Sequence, residues 1–348
     1  GANLRTHGEL EVEKVLHAVI EEASAGAGLA AEALALGIAG ADRPDDERVL
    51  RAILRRIGFR SRVIVKLFRW FMRPMQARMI PGTPERIAKI QLQLASRVCR
   101  NTHGLPLDYL VLGRVPGHFL GNLNDIEKPV VLWLHGGAFI LPAVPDVHVR
   151  MVARICAEIG AVGFVPDYRL APFNRFPAAL DDCERAYRVL LDLGFKAERI
   201  VIGGDSAGGN LCLGVLQRIA KAGLPMPAGV VPVSPVTELG RIHGPPSRFT
   251  KAGCDPLLPI ASLQRVDDLY AGDWDASDPE LSPLYAECEG CPPMFLLASD
   301  NEVLLDDTVL LDGGGELGQR RFVEPAPRLV GRRADVLDGA EQVVAPGE

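Results

Sequence analysis

The sequence predicts an α/β protein with a mostly parallel central sheet and helices on both faces. Two observations carry this. Short continuous apolar runs, such as Val130–Leu134, recur between residues 130 and 310. Strands buried on both faces read that way. Each run is followed by a segment of helical periodicity, and strands alternating with helices imply parallel pairing through crossovers. The composition agrees: 348 residues, 48% hydrophobic and 24% charged, are ordinary for a globular protein. A chain this long buries a core without disulfide staples.

The elements follow in order. Residues 9–22 carry Leu10, Val12, Val15, Leu16, Val19 and Ile20 and read as a short helix. Pro44 with Asp45, Asp46 and Glu47 suits a helix start, so 44–73 reads as a second helix. Leu107–Leu112 alternates and reads as an early strand. Strands are expected at Val130–Leu134, 161–165, 200–203, 230–233 and Met294–Ala298. Helices are expected at 146–159, 178–193 and 207–222. The organisation predicted is a helical cap region over 1–80, a main domain over 81–311 and an atypical tail over 312–348.

Charge and cysteine usage narrow the function classes. The net charge of −6 argues against a nucleic-acid partner. Residues 48–78 are the exception, with ten Arg and Lys and no acid. That stretch is either the solvated face of a cap helix or a contact for an anionic lipid surface or an acyl substrate. Seven cysteines at irregular spacings suggest reduced thiols in a cytoplasmic protein. Cys288 and Cys291 form one C-x-x-C, but no second ligand pair accompanies it, so no metal site is expected. No uncharged apolar run reaches the roughly 18–20 residues of a membrane span. Residues 23–41 are interrupted by Glu32, and no basic segment leads them as in a signal peptide.

The chemistry is carried by Gly204-Asp205-Ser206-Ala207-Gly208. A predicted buried strand enters this G-x-S-x-G and a predicted helix leaves it. That is the context of a nucleophile elbow, a turn so tight that side chains two residues either side of the serine must be absent. A phosphate-binding strand-to-helix turn is the other reading of such a segment. The second signal is His135-Gly136-Gly137-Ala138-Phe139, at the end of another predicted strand. Paired glycines let backbone N–H groups face a cavity and stabilise an oxyanion. Gly136, Gly137 and Ala207 are the expected donors, and His135 is expected to shape the loop.

These segments resemble the hormone-sensitive-lipase branch of the α/β-hydrolase esterases. The likeness extends through Asp167-Tyr168-Arg169-Leu170-Ala171-Pro172, Pro177-Ala178-Ala179-Leu180-Asp181-Asp182, Gly209-Asn210-Leu211 and Leu281-Ser282-Pro283-Leu284, and covers roughly residues 70–311. It implies an α/β-hydrolase fold with a cap of N-terminal helices, and a serine carboxylesterase or lipase acting on a small-molecule ester of short-to-medium acyl chain without a cofactor. Ser206 would be the nucleophile. The family's acid follows the strand after Pro292-Pro293, and its pattern selects Glu302. Asp300 is the runner-up, and Asp306 and Asp307 are expected to cap or solvate the next helix.

The resemblance breaks at the base, which should be a histidine downstream of the acid. His7, His17, His103, His118, His135, His148 and His243 all precede Glu302. The tail departs too: residues 312–348 hold seven Gly and five Arg, with no strong strand beyond a short one at 321–323. Without the last strand, the sheet would expose an edge. Three origins stay open. The tail is not the ancestral reading frame, or the protein is a non-catalytic ligand-binding relative on the same fold, or another histidine substitutes. For the last, His243 in the loop after Ser234-Pro235-Val236-Thr237 is the positional candidate, and His148 reads as structural.

Overall fold

The computed structural model describes residues 67–74, 83–240, 244–286, 290–313 and 330–334. Its strands are β1 (Leu107–Leu112), β2 (Val115–Leu120), β3 (Val130–Leu134), β4 (Val162–Pro166), β5 (Ile200–Asp205), β6 (Gly229–Val233), β7 (Met294–Ala298) and β8 (Val330–Ala334). Its helices of more than one turn include α1 (Pro84–Ala95), α2 (His148–Ile159), α3 (Ala178–Asp192), α4 (Ala207–Lys221), α5 (Ile260–Val266) and α6 (Leu305–Gly313). Among the described residues the strands form one sheet in the order β1-β2-β4-β3-β5-β6-β7-β8. The run from β4 to β7 is parallel, while β1, β2 and β8 pair antiparallel.

β3 shows why an uninterrupted apolar run forms a central strand. Val130, Leu132 and Leu134 point to the face covered by α3 and α4, where they meet Leu180, Tyr187, Leu211 and Val215. Val131 and Trp133 point to the other face, against Val149, Val152 and Cys156 of α2. All five are buried, so neither face tolerates a polar residue. α2 ends at Gly160, whose φ of 68° supplies the left-handed cap.

The expected elements from Leu107 to Ala298 form within about two residues of their predicted bounds. Three of these elements escape the sequence reading: β2, α1 and α5. β2 contains Pro116 and Gly117, which read as breakers, yet Gly117 is required there. A Cβ at that position would lie 2.6 Å from the Val165 carbonyl oxygen. α1 starts with Thr83 as N-cap and Pro84 at its first position, and its Gln91 turns out to brace a loop described below.

Four expectations need correction or placement. The tail does supply a strand: β8 pairs antiparallel with β7, with Met294 opposite Ala334 and Ala298 opposite Val330, so that edge of β7 is covered. The segment 321–323 lies outside the described residues, as do 9–22 and most of 44–73. Within 67–74, a π-helical turn at Phe68–Met72 brings Arg69 to the Cys254 carbonyl and Arg73 to the Ala252 carbonyl at 2.6 Å. Cys291 is disulfide-bonded rather than a free thiol, whereas Cys99, Cys156, Cys183, Cys212 and Cys254 are free. Asp307 is not a solvated cap. It is fully buried and forms a two-pronged ion pair with Arg248, at 2.6 Å and 3.1 Å. Asp307 Oδ1 also accepts the Thr237 N–H at 2.8 Å, and Asp306 accepts the Ser247 N–H at 2.7 Å. The two carboxylates thus tie α6 to the segments after β6.

No helix among the described residues is long and apolar enough to cross a membrane.

Removing one partner of a buried pair leaves the other charge stranded in low dielectric. Arg248→Met is expected to lower the unfolding free energy by about 3–5 kcal/mol, read from urea unfolding. A loss below about 1 kcal/mol would mean that the pair behaves as an exposed one.

Candidate active site

β5 runs into Ser206 and α4 begins at the next residue. Ser206 sits at φ 54°, ψ −116°, a conformation that an L-residue adopts at a cost of about 1–3 kcal/mol. Its backbone is held on both sides. The N–H donates to the Val233 carbonyl at 2.8 Å, and its carbonyl accepts from Val236 N–H at 3.3 Å and Asn210 N–H at 3.2 Å. The flanking glycines answer to sterics. A Cβ at Gly208 would fall 1.8 Å from the Leu134 carbonyl oxygen, and one at Gly204 would fall 2.6 Å from that oxygen and from the Gly208 backbone. The half-buried serine is therefore presented at the C-terminal edge of the sheet, beside the N-terminus of α4, where backbone N–H groups lack intrahelical partners.

The 135–139 loop corrects one expectation. Gly136 N–H donates to Asp205 Oδ1 at 3.0 Å and so is not free to face a cavity. The Trp133 indole N–H donates to the same oxygen at 3.1 Å. Gly136 must be glycine because a Cβ would overlap that carboxylate, 2.1 Å from Oδ2. Beyond it the chain takes three positive φ angles in a row: Gly137 at 131°, Ala138 at 58° and Phe139 at 59°. Neither Gly137 N–H, Ala138 N–H nor Ala207 N–H donates to a described residue.

Several contacts brace this loop. Gln91 of α1 donates to the Ile140 and Ala171 carbonyls, at 2.7 Å and 3.1 Å. The Phe139 ring stacks on Tyr270, centroids 3.9 Å apart. Tyr168 stacks on His135 at 4.2 Å and donates its hydroxyl to the His135 carbonyl at 2.6 Å. Arg169, next in the chain, clamps Asp182 of α3 through Nε at 2.8 Å and Nη2 at 3.0 Å. The Asn210 amide of α4 reaches the Val236 and Leu281 carbonyls, and Ser282 accepts the Leu239 N–H. The recurring segments named from the sequence are thus the braces of one site.

Two histidines lie beside this loop. His135 is fully buried, which holds its pKa down at about 3, with His148 adding to the effect. Its Nδ1 lies 2.8 Å from the Gly136 carbonyl and must donate there. His148 accepts the Val144 N–H on Nδ1 at 2.9 Å, so its proton is on Nε2, which faces Asp205 Oδ2 at 3.9 Å. No described hydrogen bond joins either ring to Ser206, and His135 Nε2 is buried without a hydrogen-bond partner among the described residues. His118 is on β2, separated from β5 by β4 and β3. His243, His7 and His17 lie outside the described residues.

Glu302 follows β7 in a turn. Its Oε1 accepts the Ser234 hydroxyl at 2.7 Å and the Ser299 N–H at 2.8 Å. Burial pushes its pKa up to about 7 against these two hydrogen bonds, and the nearby Asp255 and Asp307 push the same way. Asp255 is itself buried and holds the turn by accepting the Val303 N–H at 2.9 Å. Asp300 is half-buried and accepts from the Asn301 side chain at 2.8 Å.

Sequence reasoning missed Ala138, Asp205, Gln91 and Ser234. Ala138 sits beside the glycine pair, and Asp205 is the variable position of the pentapeptide. Ser234 sits in a Ser-Pro after a strand. None carries a spacing signal by itself.

A family model described as an alpha/beta hydrolase fold matches residues 131–312. The chain is 35% identical over 256 residues to an acetyl-hydrolase of Streptomyces hygroscopicus, covering 70% of this chain and 84% of that one. It is 38% identical over 150 residues to the hormone-sensitive lipase of Mus musculus, covering 42% of this chain and 19% of that one. Among solved structures, an esterase from the bacterial hormone-sensitive lipase family superposes with a TM-score of 0.61 at 30% identity, covering 71% of this chain and 80% of that one.

Gly208→Ala drives a methyl into the Leu134 carbonyl and is expected to cost about 3 kcal/mol, seen as a lower urea midpoint. An unchanged midpoint would contradict the close approach. Glu302 sets a pH dependence. Its folded pKa of about 7 exceeds the ordinary 4.5, so the folded state binds more protons between these values. Stability is therefore expected to fall as pH rises from 4.5 through 7, by up to about 3 kcal/mol at ~1.4 kcal/mol per unit. Denaturant titrations of Glu302→Gln should show a flatter profile over that range. Parallel profiles would place the shift elsewhere.

Proposed function

The chain belongs to the alpha/beta hydrolase family of hormone-sensitive-lipase-like esterases and lipases, and from that membership we propose that it hydrolyses a small-molecule carboxylic ester through Ser206. The observation that carries the reading is the strained Ser206 conformation at the junction of β5 and α4. In this reading the Ser206 hydroxyl attacks the ester carbonyl carbon and forms an acyl-enzyme. The carbonyl oxygen gains charge and is met by the N–H groups of Gly137, Ala138 and Ala207, which have no other acceptor among the described residues. Gly136 is not a donor here. Its N–H, tied to Asp205, sets the direction of the next two peptides. Glu302 is the acid of the site. Water then releases the carboxylic acid product.

A second reading is a non-catalytic ligand-binding protein on the same fold. One observation favours it: no histidine follows Glu302 in the chain. A serine without an activating group is a weak nucleophile. In that case Ser206 and the free N–H groups hold a carbonyl-bearing ligand without cleaving it.

Hydrolysis of p-nitrophenyl butyrate separates the two. Turnover by the intact chain should exceed that of Ser206→Ala, and a fluorophosphonate should label only the former. Equal rates and no labelling would favour the binding reading. Asp205→Ala should lower kcat at little cost in KM, by no more than the ~10²–10³-fold that one oxyanion donor supplies. An unchanged kcat would remove Asp205 from the site.

A further inference from the structure

We propose that the turn at Phe68–Met72 is a docking surface for an anionic lipid bilayer, with Leu67, Trp70 and Phe71 entering the headgroup layer and the basic residues around them meeting lipid phosphates. The inference concerns binding and stands whether or not Ser206 is a nucleophile. Trp70 is 73% exposed, Phe71 67% and Leu67 48%. Three large apolar side chains exposed on one turn make a patch, and exposed apolar patches mark interaction sites.

The patch is fixed to the folded domain. Arg69 donates to the Cys254 carbonyl and Arg73 to the Ala252 carbonyl at 2.6 Å. Ala252 N–H donates in turn to the Phe249 carbonyl at 3.3 Å, and the Phe249 ring is itself 51% exposed. The segment that holds the turn is pinned to the residues after β7. Ser247 Oγ donates to the Val303 carbonyl at 2.8 Å, and Asp255 accepts the Val303 N–H at 2.9 Å. The turn is therefore anchored toward the carboxyl end of the sheet, where Ser206 is also presented.

Charge selects the occupant. Residues 48–78 hold ten Arg and Lys and no acid, and residues 240–254 add Arg241, Arg248 and Lys251, again with no acid. Arg248 is spent on Asp307. Arg69 and Arg73 bond to neutral carbonyls, which leave their charges uncancelled. The whole chain carries −6, so an anionic surface attracts this region and repels the remainder, which orients the molecule. In the sequence, Ile53, Leu54, Ile57, Phe59 and Val63 interleave the same cations. Arg and Lys mixed with Trp, Phe and Leu compose segments that lie in a bilayer interface. A second copy of the chain would set like charges against each other.

The test is cosedimentation of the full chain with phosphatidylcholine vesicles, with and without phosphatidylglycerol, beside tryptophan fluorescence. Expected are pelleting with the phosphatidylglycerol vesicles, little with phosphatidylcholine alone, release in high salt through screening, and a blue-shifted emission on binding. Trp70→Ala and Phe71→Ala should each weaken partitioning by about tenfold. Arg62→Gln and Lys66→Gln should each weaken it by about fivefold. Trp70→Phe should keep most of the binding and lose the blue shift. Ser206→Ala should bind as the intact chain does, which separates docking from ester hydrolysis. Urea midpoints should stay unchanged, since the altered aromatic side chains are exposed. Equal binding to both vesicle types, or none to either, overturns the proposal. Full binding by the double variant Trp70→Ala, Phe71→Ala removes the patch from the interface. Self-association that this double variant abolishes would mean that a second copy covers the patch, and the proposal fails.

Discussion

The first turn of α4 lies against the end of β3, with the Leu134 carbonyl oxygen where a Gly208 side chain would be. That approach leaves no room for a Cβ, and it also forces the turn between β5 and α4 to be as short as one residue. Ser206 absorbs the angle by taking φ 54°. Its strain is sustained because the surrounding backbone over-determines it, with Val233, Asn210 and Val236 each holding it by a hydrogen bond. The helix is therefore placed against the strand, and the serine is left at the edge of the sheet.

The 135–139 loop depends on the same junction. Asp205 precedes Ser206, and its carboxylate takes the Gly136 N–H and the Trp133 indole N–H together. The residue that leads into the elbow thus orients the loop at the end of the neighbouring strand. Three consecutive positive φ angles turn the Gly137 and Ala138 peptides away from the sheet ladder. Such a loop persists only when braced, and the braces come from distant parts of the chain: Gln91 from α1, Tyr168 after β4 and Tyr270 after α5.

The carboxylate cluster at the end of β7 is built differently. Glu302, Asp255, Asp306 and Asp307 converge at the end of β7, and one arginine is buried among them. Asp255 is held by backbone N–H donors and Asp307 by Arg248, so both are satisfied. Glu302 has a hydroxyl and one N–H, and burial outweighs them. Its surroundings disfavour its charge more than its hydrogen bonds favour it, which raises its pKa.

The sequence by itself determined the layered architecture, the central strands and the serine elbow. These rest on local signals: β3 must be apolar on both faces, and Gly204 and Gly208 must lack side chains. It also showed that no histidine follows Glu302. Only the tertiary structure decided which peptides of the 135–139 segment are free, because the Gly136 N–H is claimed by an aspartate 69 residues away. The pairing of Ser234 with Glu302, 68 residues apart, and the partnering of the 330–334 strand with β7 were settled the same way. Hydrogen bonds between residues so far apart in the chain leave no periodicity or spacing behind. They exist only once the sheet has brought its strand ends together.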